Sequence, residues 1–349
     1  MQKIKNLRGT LLAFEDGCKI LDLNKEMCYN KTRKNNSHSP ITKRNEDTTM
    51  KKTLFKILRI TLLSLLALVL VVELFYLPRY WGQRTEVMPV ENTGEELTIM
   101  SANVRCYSPT DFFKKSWFYR ADLLTGDIAE VAPDVIGFQE VQDLHYNYLK
   151  DVMPEYDSIV AFRDKSIIRE GCAIFYRTDR FEEIESGHFW LSETPDVQSK
   201  DWDSAHYRVC VYVCLKDLTT GKEFIVFNTH LDHKSEEARI KGIEVVLDKI
   251  AELDGRPAFL MGDMNALEDT PTIQSTTENF DDALKIAASV TGTDYTYNNW
   301  GDPEPDDRID YILIGKGTAT VSEYHVLDNS HNGIYSSDHC PIYIKTKIH

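Results

Sequence analysis

The sequence predicts an α/β domain in which sheet packs on sheet, preceded by one membrane-crossing helix. Three observations carry this. From Leu97 onward, short β-like runs rich in Val, Ile and Phe outnumber helical stretches. Ahead of them a single long apolar run follows a basic cluster. The chain of 349 residues is 42% hydrophobic and 11% aromatic, which supports a packed core and excludes a disordered acidic polymer.

In chain order, residues 1–49 are polar, Lys/Asn-rich and without periodicity, and read as a disordered cytoplasmic tail or as sequence ahead of a start at Met50. Lys51, Lys52, Lys56 and Arg59 lead into the uncharged run ITLLSLLALVLVV at 60–72. Residues 54–77 are expected to span a membrane, with Lys56 and Arg59 snorkelling and Tyr76, Tyr80 and Trp81 at the far interface. A cleaved signal peptide is the alternative, but no small-x-small site follows the run. The basic flank places the N-terminus in the cytoplasm and the rest outside, as a single-pass protein of the cell membrane. Residues 78–96 are expected to be a linker and 97–349 the catalytic domain.

Strands are expected at Leu97–Val104, Asp134–Gln139, Ala173–Tyr176, Arg208–Leu215, Phe224–Thr229, Ala258–Met261, Ile309–Ile314 and Ile342–Lys345. The clearest helix starts behind Ser235 as N-cap, with Glu236 and Glu237 in its first turn and Ile240, Ile243, Val246, Leu247 and Ile250 on one face. A second covers Phe118–Val131 and stops before Pro133. Seven cysteines in this length make no disulfide framework; Cys210 and Cys214 lie too far apart in one strand to bridge.

Polar groups suited to metal or phosphate recur at the strand ends: Asn103, Glu140, His230 with Asp232, Asp263 with Asn265, and Asp338-His339, with Asp310 inside RIDYILI. Each alone reads as a turn or cap residue. Together they supply carboxylate, amide and imidazole at five strand ends, and loops at one sheet edge converge to build sites. All but Asn103, which ends TIMSAN, stand in the stretches QE, NTHLDH, GDMN, RIDYI and SDH, in that order, and over residues 97–346 the chain resembles the endonuclease/exonuclease/phosphatase superfamily, which includes DNase I-like nucleases, sphingomyelinases and inositol-phosphate phosphatases. FWLSETPDV and the SKDWDSA after it resemble a bacterial branch of that group. The resemblance implies a four-layer α/β sandwich, two packed mixed sheets flanked by helices.

It also implies roles. Glu140 resembles the main ligand of Mg²⁺, with Asn103 beside it and Asp338 completing the charge; an oxygen set suits Mg²⁺ or Mn²⁺. Asp263 and Asn265 resemble the pair that orients and activates water. His339, oriented by Asp310, binds phosphate oxygens or acts as base, and His230 stands on the other side as donor or general acid. Arg239 is read as a phosphate contact or a partner of Glu236, and Asp232 as a substrate-side residue tuning His230 or as a strand end. Arg308 is read as a site-edge residue or a surface ion pair. Trp190, Trp202 and Trp300 are read as cleft or core, and the acidic stretch Asn298–Asp307 as a lip over the site.

Charge narrows the substrate. Residues 1–89 hold 16 basic and 8 acidic side chains, and residues 90–349 hold 24 and 47, net charges of +8 and −23. A domain at −23 is disfavoured for nucleic acid, which is bound by clustered Lys and Arg. The expected activity is Mg²⁺-dependent hydrolysis of a small or lipid-linked phosphoester by a monomer outside the cytoplasm. An extracytoplasmic nuclease is the alternative, followed by a non-catalytic surface binding module. A binuclear metallophosphatase is disfavoured because Asn103-Val104-Arg105 replaces the Asp-x-His such a site requires.

Overall fold

The computed structural model describes residues 40–90, 94–108, 110–253, 255–304 and 307–349, and their side chains except those of 40–49, 72 and 73. Residues 1–39 of the expected tail lie outside the described residues. The chain divides at Leu63/Ser64. In order come α1 (Pro40–Gly82), β1 (Leu97–Asn103), α2 (Trp117–Val131), β2 (Val135–Val141), α3 (Asp143–Val152), β3 (Tyr156–Phe162), β4 (Gly171–Arg177), β5 (Phe181–Trp190), β6 (Val209–Asp217) and β7 (Glu223–His230). They are followed by α4 (Glu236–Glu252), β8 (Ala258–Asp263), α5 (Pro271–Thr276), β9 (Phe280–Asp282), α6 (Ala283–Ile286), β10 (Val290–Gly292), β11 (Asp310–Gly315), β12 (Ala319–Val326) and β13 (Ile342–Ile348).

The stretch Met50–Gly82 is long and apolar enough to cross a membrane, with a mean hydropathy of 2.5 over its most apolar window and none of that window buried. The helix is longer than the expected span at both ends. Residues 40–49, read from the sequence as disordered, are helical: Pro40 sits at the first position, where its missing N–H costs nothing, and no further Gly or Pro falls in the run before Pro78. Residues 78–82, read as linker, continue the helix because Arg79 and Tyr80 find partners on α2 and α3. Tyr80 is buried in that contact instead of standing at a bilayer interface.

Two sheets pack face to face. One runs β10-β12-β13-β1-β2-β4-β3 and the other β5-β6-β7-β8-β11-β9. Each is mixed: β1–β2 and β7–β8 are parallel, joined across α2 and α4, and the other pairings among long strands are antiparallel. Ile99, Val135, Ile174, Val211, Val226, Met261, Ile312 and Ile344 fill the space between the sheets. Trp117, Leu124, Ile128, Tyr148 and Leu149 cover the outer face of the first sheet, and Ile243, Val246 and Ile273 that of the second. The eight expected strands are present, several shifted by one to three residues at an end. The strands missing from the sequence reading include β3, β5 and β12, whose EEIES and VSEYH stretches put charge on exposed faces and break the apolar run.

The parallel topology brings the C-terminal ends of β1, β2, β7 and β8 to one edge, and the antiparallel β11 and β13 begin there. The opposite end is braced by Asp134, whose carboxylate accepts from the Arg177 and Arg180 guanidinium groups at 2.9 and 3.0 Å and from the Thr98 N–H at 2.8 Å. All three charged side chains are buried. Asp134→Ala leaves two cations without their shared anion, so it is expected to cost about 3–5 kcal/mol, read as a lowered urea midpoint.

Candidate active site

Local backbone geometry aims the site residues. The register of β2 against β4 shifts between Phe138 and Val141, and within that bulge Glu140 takes a φ of 58°. Asn265 and Arg105 also hold left-handed φ values, 47° and 55°. Such conformations are costly for residues with a side chain and concentrate at functional sites. Gly262 has a φ of 140°, and a Cβ there would stand 1.9 Å from the Thr229 carbonyl oxygen, so only glycine lets β8 lie this close to β7 just before Asp263.

Ligand atoms of Glu140, Asp263 and His339 lie within 4.8 Å of one another. Asn103 joins them through its amide, which donates to Glu140 Oε1 at 3.2 Å and Asp263 Oδ2 at 3.1 Å, while its Oδ1 accepts from the Arg105 N–H. The Cys106 N–H donates to Glu140 Oε2 at 2.8 Å. His339 Nδ1 lies 2.8 Å from Asp310 Oδ2, and its Nε2 is 3.8 Å from Asp263 Oδ2. His230 Nε2 approaches the same Asp263 oxygen at 3.5 Å. The Asn265 N–H donates to Asp263 Oδ1, and the Asn265 amide ties to the Leu231 carbonyl. Arg105 bonds Asp111 and reaches Asp338 at 3.5 Å.

Charge is crowded here. Burial favours a neutral Glu140, but His230, the Cys106 N–H, His339 and Arg105 together hold its carboxyl well below the usual range. Burial pushes the Asp263 carboxyl up to about 7, with Asp310 and Glu140 adding to the rise. Burial works against a charged His339, yet Asp310, Asp263 and Asp338 raise it well above an ordinary histidine. His230 is held well below one by burial and by Arg208. Asp338 Oδ1 is buried without a hydrogen-bond partner. Converging carboxylates and an orphaned carboxylate oxygen fit a hard divalent cation, which Glu140 would hold with Asp338 adjacent, beside Asp263 and His339. Asn103, expected as a ligand, presents its amide N–H to the carboxylates and here bridges them.

The cleft above this cluster encloses about 610 Å³ and is also lined by Arg105, Arg163, Glu170, His206, Arg208, His233, Tyr297 and Asp307. Sequence reading missed Arg163, Arg208 and the His206–His233 stack. Arg208 opens an expected strand and His233 closes NTHLDH, so both were within sight; Arg163 lies in a turn with no local signal. Asp307, in the expected acidic lip, does reach the cleft, while residues 305 and 306 of that stretch lie outside the described residues.

Two expected substrate contacts are not among the residues that line the cleft. The Asp232 carboxylate is buried and accepts from Ser204 Oγ and from the N–H groups of Ala205, His206, Lys234 and Ser235. Five donors from two loops saturate it, which makes it a brace for the cleft wall. Arg239 is buried against the Asp232 carbonyl and Thr272, with neither a phosphate route nor a pair with Glu236. Arg308 is no surface pair either; it is buried on Asp282 at 2.6 Å and over Tyr311. Trp190 donates to the Arg163 carbonyl, and Trp300 lies under Lys115 and Arg120.

Glu140→Ala and His339→Ala are each expected to lower kcat by about 10²–10⁴-fold with the fold intact by circular dichroism, and unchanged turnover in either would refute the site. Asp232 gives a separate expectation. Burial opposes its ionisation, but the Ser235 and Lys234 N–H groups and Arg208 hold it below the ordinary carboxylate range. A folded-state pKa below the unfolded one stabilises above the unfolded pKa and is lost as pH falls. The stability gap between the parent and Asp232→Asn should therefore be full near neutrality and close below about 4, followed by urea unfolding across pH.

Residues 100–339 match the Endonuclease/Exonuclease/phosphatase family. An endonuclease/exonuclease/phosphatase from Bacteroides vulgatus is similar in structure, with a TM-score of 0.69 and 33% identity, covering 73% of this chain and 99% of that one. A mannosyl-6-phosphatase from Bacteroides thetaiotaomicron is similar at a TM-score of 0.65 and 32% identity, covering 72% and 99%. In sequence, the CCR4-Not complex 3'-5'-exoribonuclease subunit Ccr4 of Kluyveromyces lactis is 25% identical over 219 residues, 51% of this chain and only 28% of that protein. With its two packed mixed sheets and its acidic, imidazole-lined cleft, this chain belongs to the Endonuclease/Exonuclease/phosphatase family of metal-dependent phosphoester hydrolases.

Proposed function

We propose that the chain is an Mg²⁺-dependent phosphoesterase that hydrolyses a small or lipid-linked phosphoester outside the cytoplasm, acting as a monomer tethered by α1. The observation that carries this is the convergence of Glu140, Asp263 and His339 on the floor of a cleft with Arg163, Arg208 and Arg105 in its walls. The bound cation would polarise the phosphoryl group and offset charge in the transition state. The chain's own groups divide the remaining work. Asp263, held by the Asn265 N–H, accepts the proton of the attacking water. His339, kept as an imidazolium by Asp310, donates to a phosphoryl or leaving-group oxygen. Neutral His230 donates a hydrogen bond from the other side.

The net charge of −23 supports a small or lipid-linked substrate over a polynucleotide, and so does the similarity to a sugar phosphatase along almost all of that protein's length. The similarity to Ccr4 is what favours a nuclease, over a much smaller share of that protein. The basic residues ahead of the apolar run support a cytoplasmic N-terminus and an external domain.

The test is a panel of sugar phosphates, lipid phosphates and single-stranded RNA given to the full chain. Phosphate release from a non-nucleic substrate is expected, abolished by chelator and restored by Mg²⁺. Shortening of RNA with no turnover of the other substrates would replace this reading with the nuclease.

A further inference from the structure

The order of contacts along α1 fixes its direction against the catalytic cleft. Tyr76 meets Tyr119, in the first turn of α2, edge to face at 5.3 Å. Arg79 donates to the Tyr119 carbonyl and to both oxygens of Asp122, at 2.6 and 2.8 Å. Tyr80 stacks on Tyr148, Arg84 reaches Asp151 at 3.1 Å, and the Val87 N–H donates to the Val152 carbonyl. Both α2 and α3 start at the sheet edge that holds Asn103 and Glu140 and run away from it. Arg120 ties the first turn of α2 to that edge by donating to the Val104 and Arg105 carbonyls. Rising residue number along α1 therefore leads away from the cleft, and falling number leads toward it. Within the unit that starts at Ser64, residues 64–75 of α1, largely exposed where described, leave the domain at its cleft end.

Two turns flank the cleft at that end. One, between β1 and α2, contributes Arg105 and Cys106 to the cleft and exposes Phe112 (41%) and Phe113 (62%), followed by exposed Lys114 and Lys115. The other, between β3 and β4, contributes Arg163 and Glu170 and exposes Ile167 (99%) and Ile168 (68%) beside exposed Lys165. This second turn is braced by Arg169 on Asp143 and Arg163 on Glu170, at 2.7 and 2.8 Å, so the isoleucines are held outward. Beyond α1, these are the sequence-adjacent pairs of exposed large apolar side chains among the described residues; the others are single. Single exposed apolar residues are ordinary, whereas clustered ones mark an interaction surface.

We propose that the cleft mouth faces the bilayer, with the Phe112–Lys115 and Lys165–Ile168 turns resting among the lipid headgroups. This rests on the reading of α1 as a membrane span. Apolar side chains flanked by lysine are the composition that seats in a headgroup layer, and on a domain at −23 with an acidic Asn298–Asp307 lip it is Lys114, Lys115 and Lys165 of these two turns that suit anionic lipid. The cleft then takes its phosphoester from the membrane surface, which favours a lipid-linked substrate over a freely diffusing one.

The test is hydrogen-exchange mass spectrometry of the full chain in nanodiscs of phosphatidylcholine and phosphatidylglycerol, against the same chain in detergent. Exchange in 105–116 and 163–170 is expected to slow by about tenfold in nanodiscs, with no change in the 218–222 turn at the opposite end of the sheet. Replacing Phe112, Phe113, Ile167 and Ile168 together by serine should abolish that protection while leaving the thermal midpoint in detergent unchanged. Protection at 218–222, or at neither rim turn, would overturn the proposal while the chain still resists extraction from vesicles by alkaline carbonate. Release of the chain by carbonate would overturn the span and the proposal together.

Discussion

The catalytic edge depends on how the two sheets are locked beneath it, and Asn228 is the lock. From β7 its amide donates to the Phe138 and Ala173 carbonyls of the facing sheet, both at 2.9 Å, and its oxygen accepts from Gln139 at 2.6 Å. A buried amide is tolerable only when its donors and acceptor are satisfied, and these bonds are available at one relative height of the sheets. Gly137 completes the lock, since a Cβ there would stand 2.5 Å from Met261 and 2.8 Å from Asn228. Sliding the sheets by one residue would strand these groups and part Glu140 from Asp263. Every distance within the catalytic cluster is downstream of that registration.

Above the lock the protein accumulates what a stable fold ordinarily avoids. Several carboxylates converge, Asp338 keeps an unpartnered oxygen, and Glu140 and Asn265 hold left-handed backbone conformations. Such features persist where surrounding structure over-determines them. Here the bracing comes from groups outside the chemistry: Asp232 knits two loops of the cleft wall, Asp310 orients His339, and the Asp134 cluster holds the opposite end. The cluster has the electrostatic character of a site completed by a cation, since its own imidazoles cannot offset all of its carboxylates.

The apolar helix belongs to the same construction. Its last turns pack on α2 and α3 through buried Tyr80 and the Arg79–Asp122 pair, and both of those helices start at the catalytic edge. The last turns of the apolar helix and the cleft are thus joined by helix packing, where the sequence suggested only a linker.

Much of the site was legible because its chemistry sits at strand ends, where an apolar run stops at a carboxylate, amide or imidazole: Glu140 after VIGFQ, Asp263 after AFLMG, His230 after FIVFNT. The interior strands were legible for the same reason, since burial on both faces leaves continuous apolar runs. The edge strand β5, and β12, which is bordered on one side only by the three-residue β10, carry charge on exposed positions, so pattern alone did not reveal them. Asp232 and Asp263 show where residue type stops being informative. Both are aspartates ending a β7 or β8 segment, yet one is saturated by five donors and the other stands open to the cleft. The sequence by itself determined which groups were available for metal and phosphate chemistry, and that a basic-flanked apolar helix precedes them. Tertiary structure alone decided which of those groups meet, which are spent as braces, and at which end of the domain the helix arrives. Hydrogen-bond saturation and helix direction are set by contacts between segments far apart in the chain, and local periodicity carries no record of them.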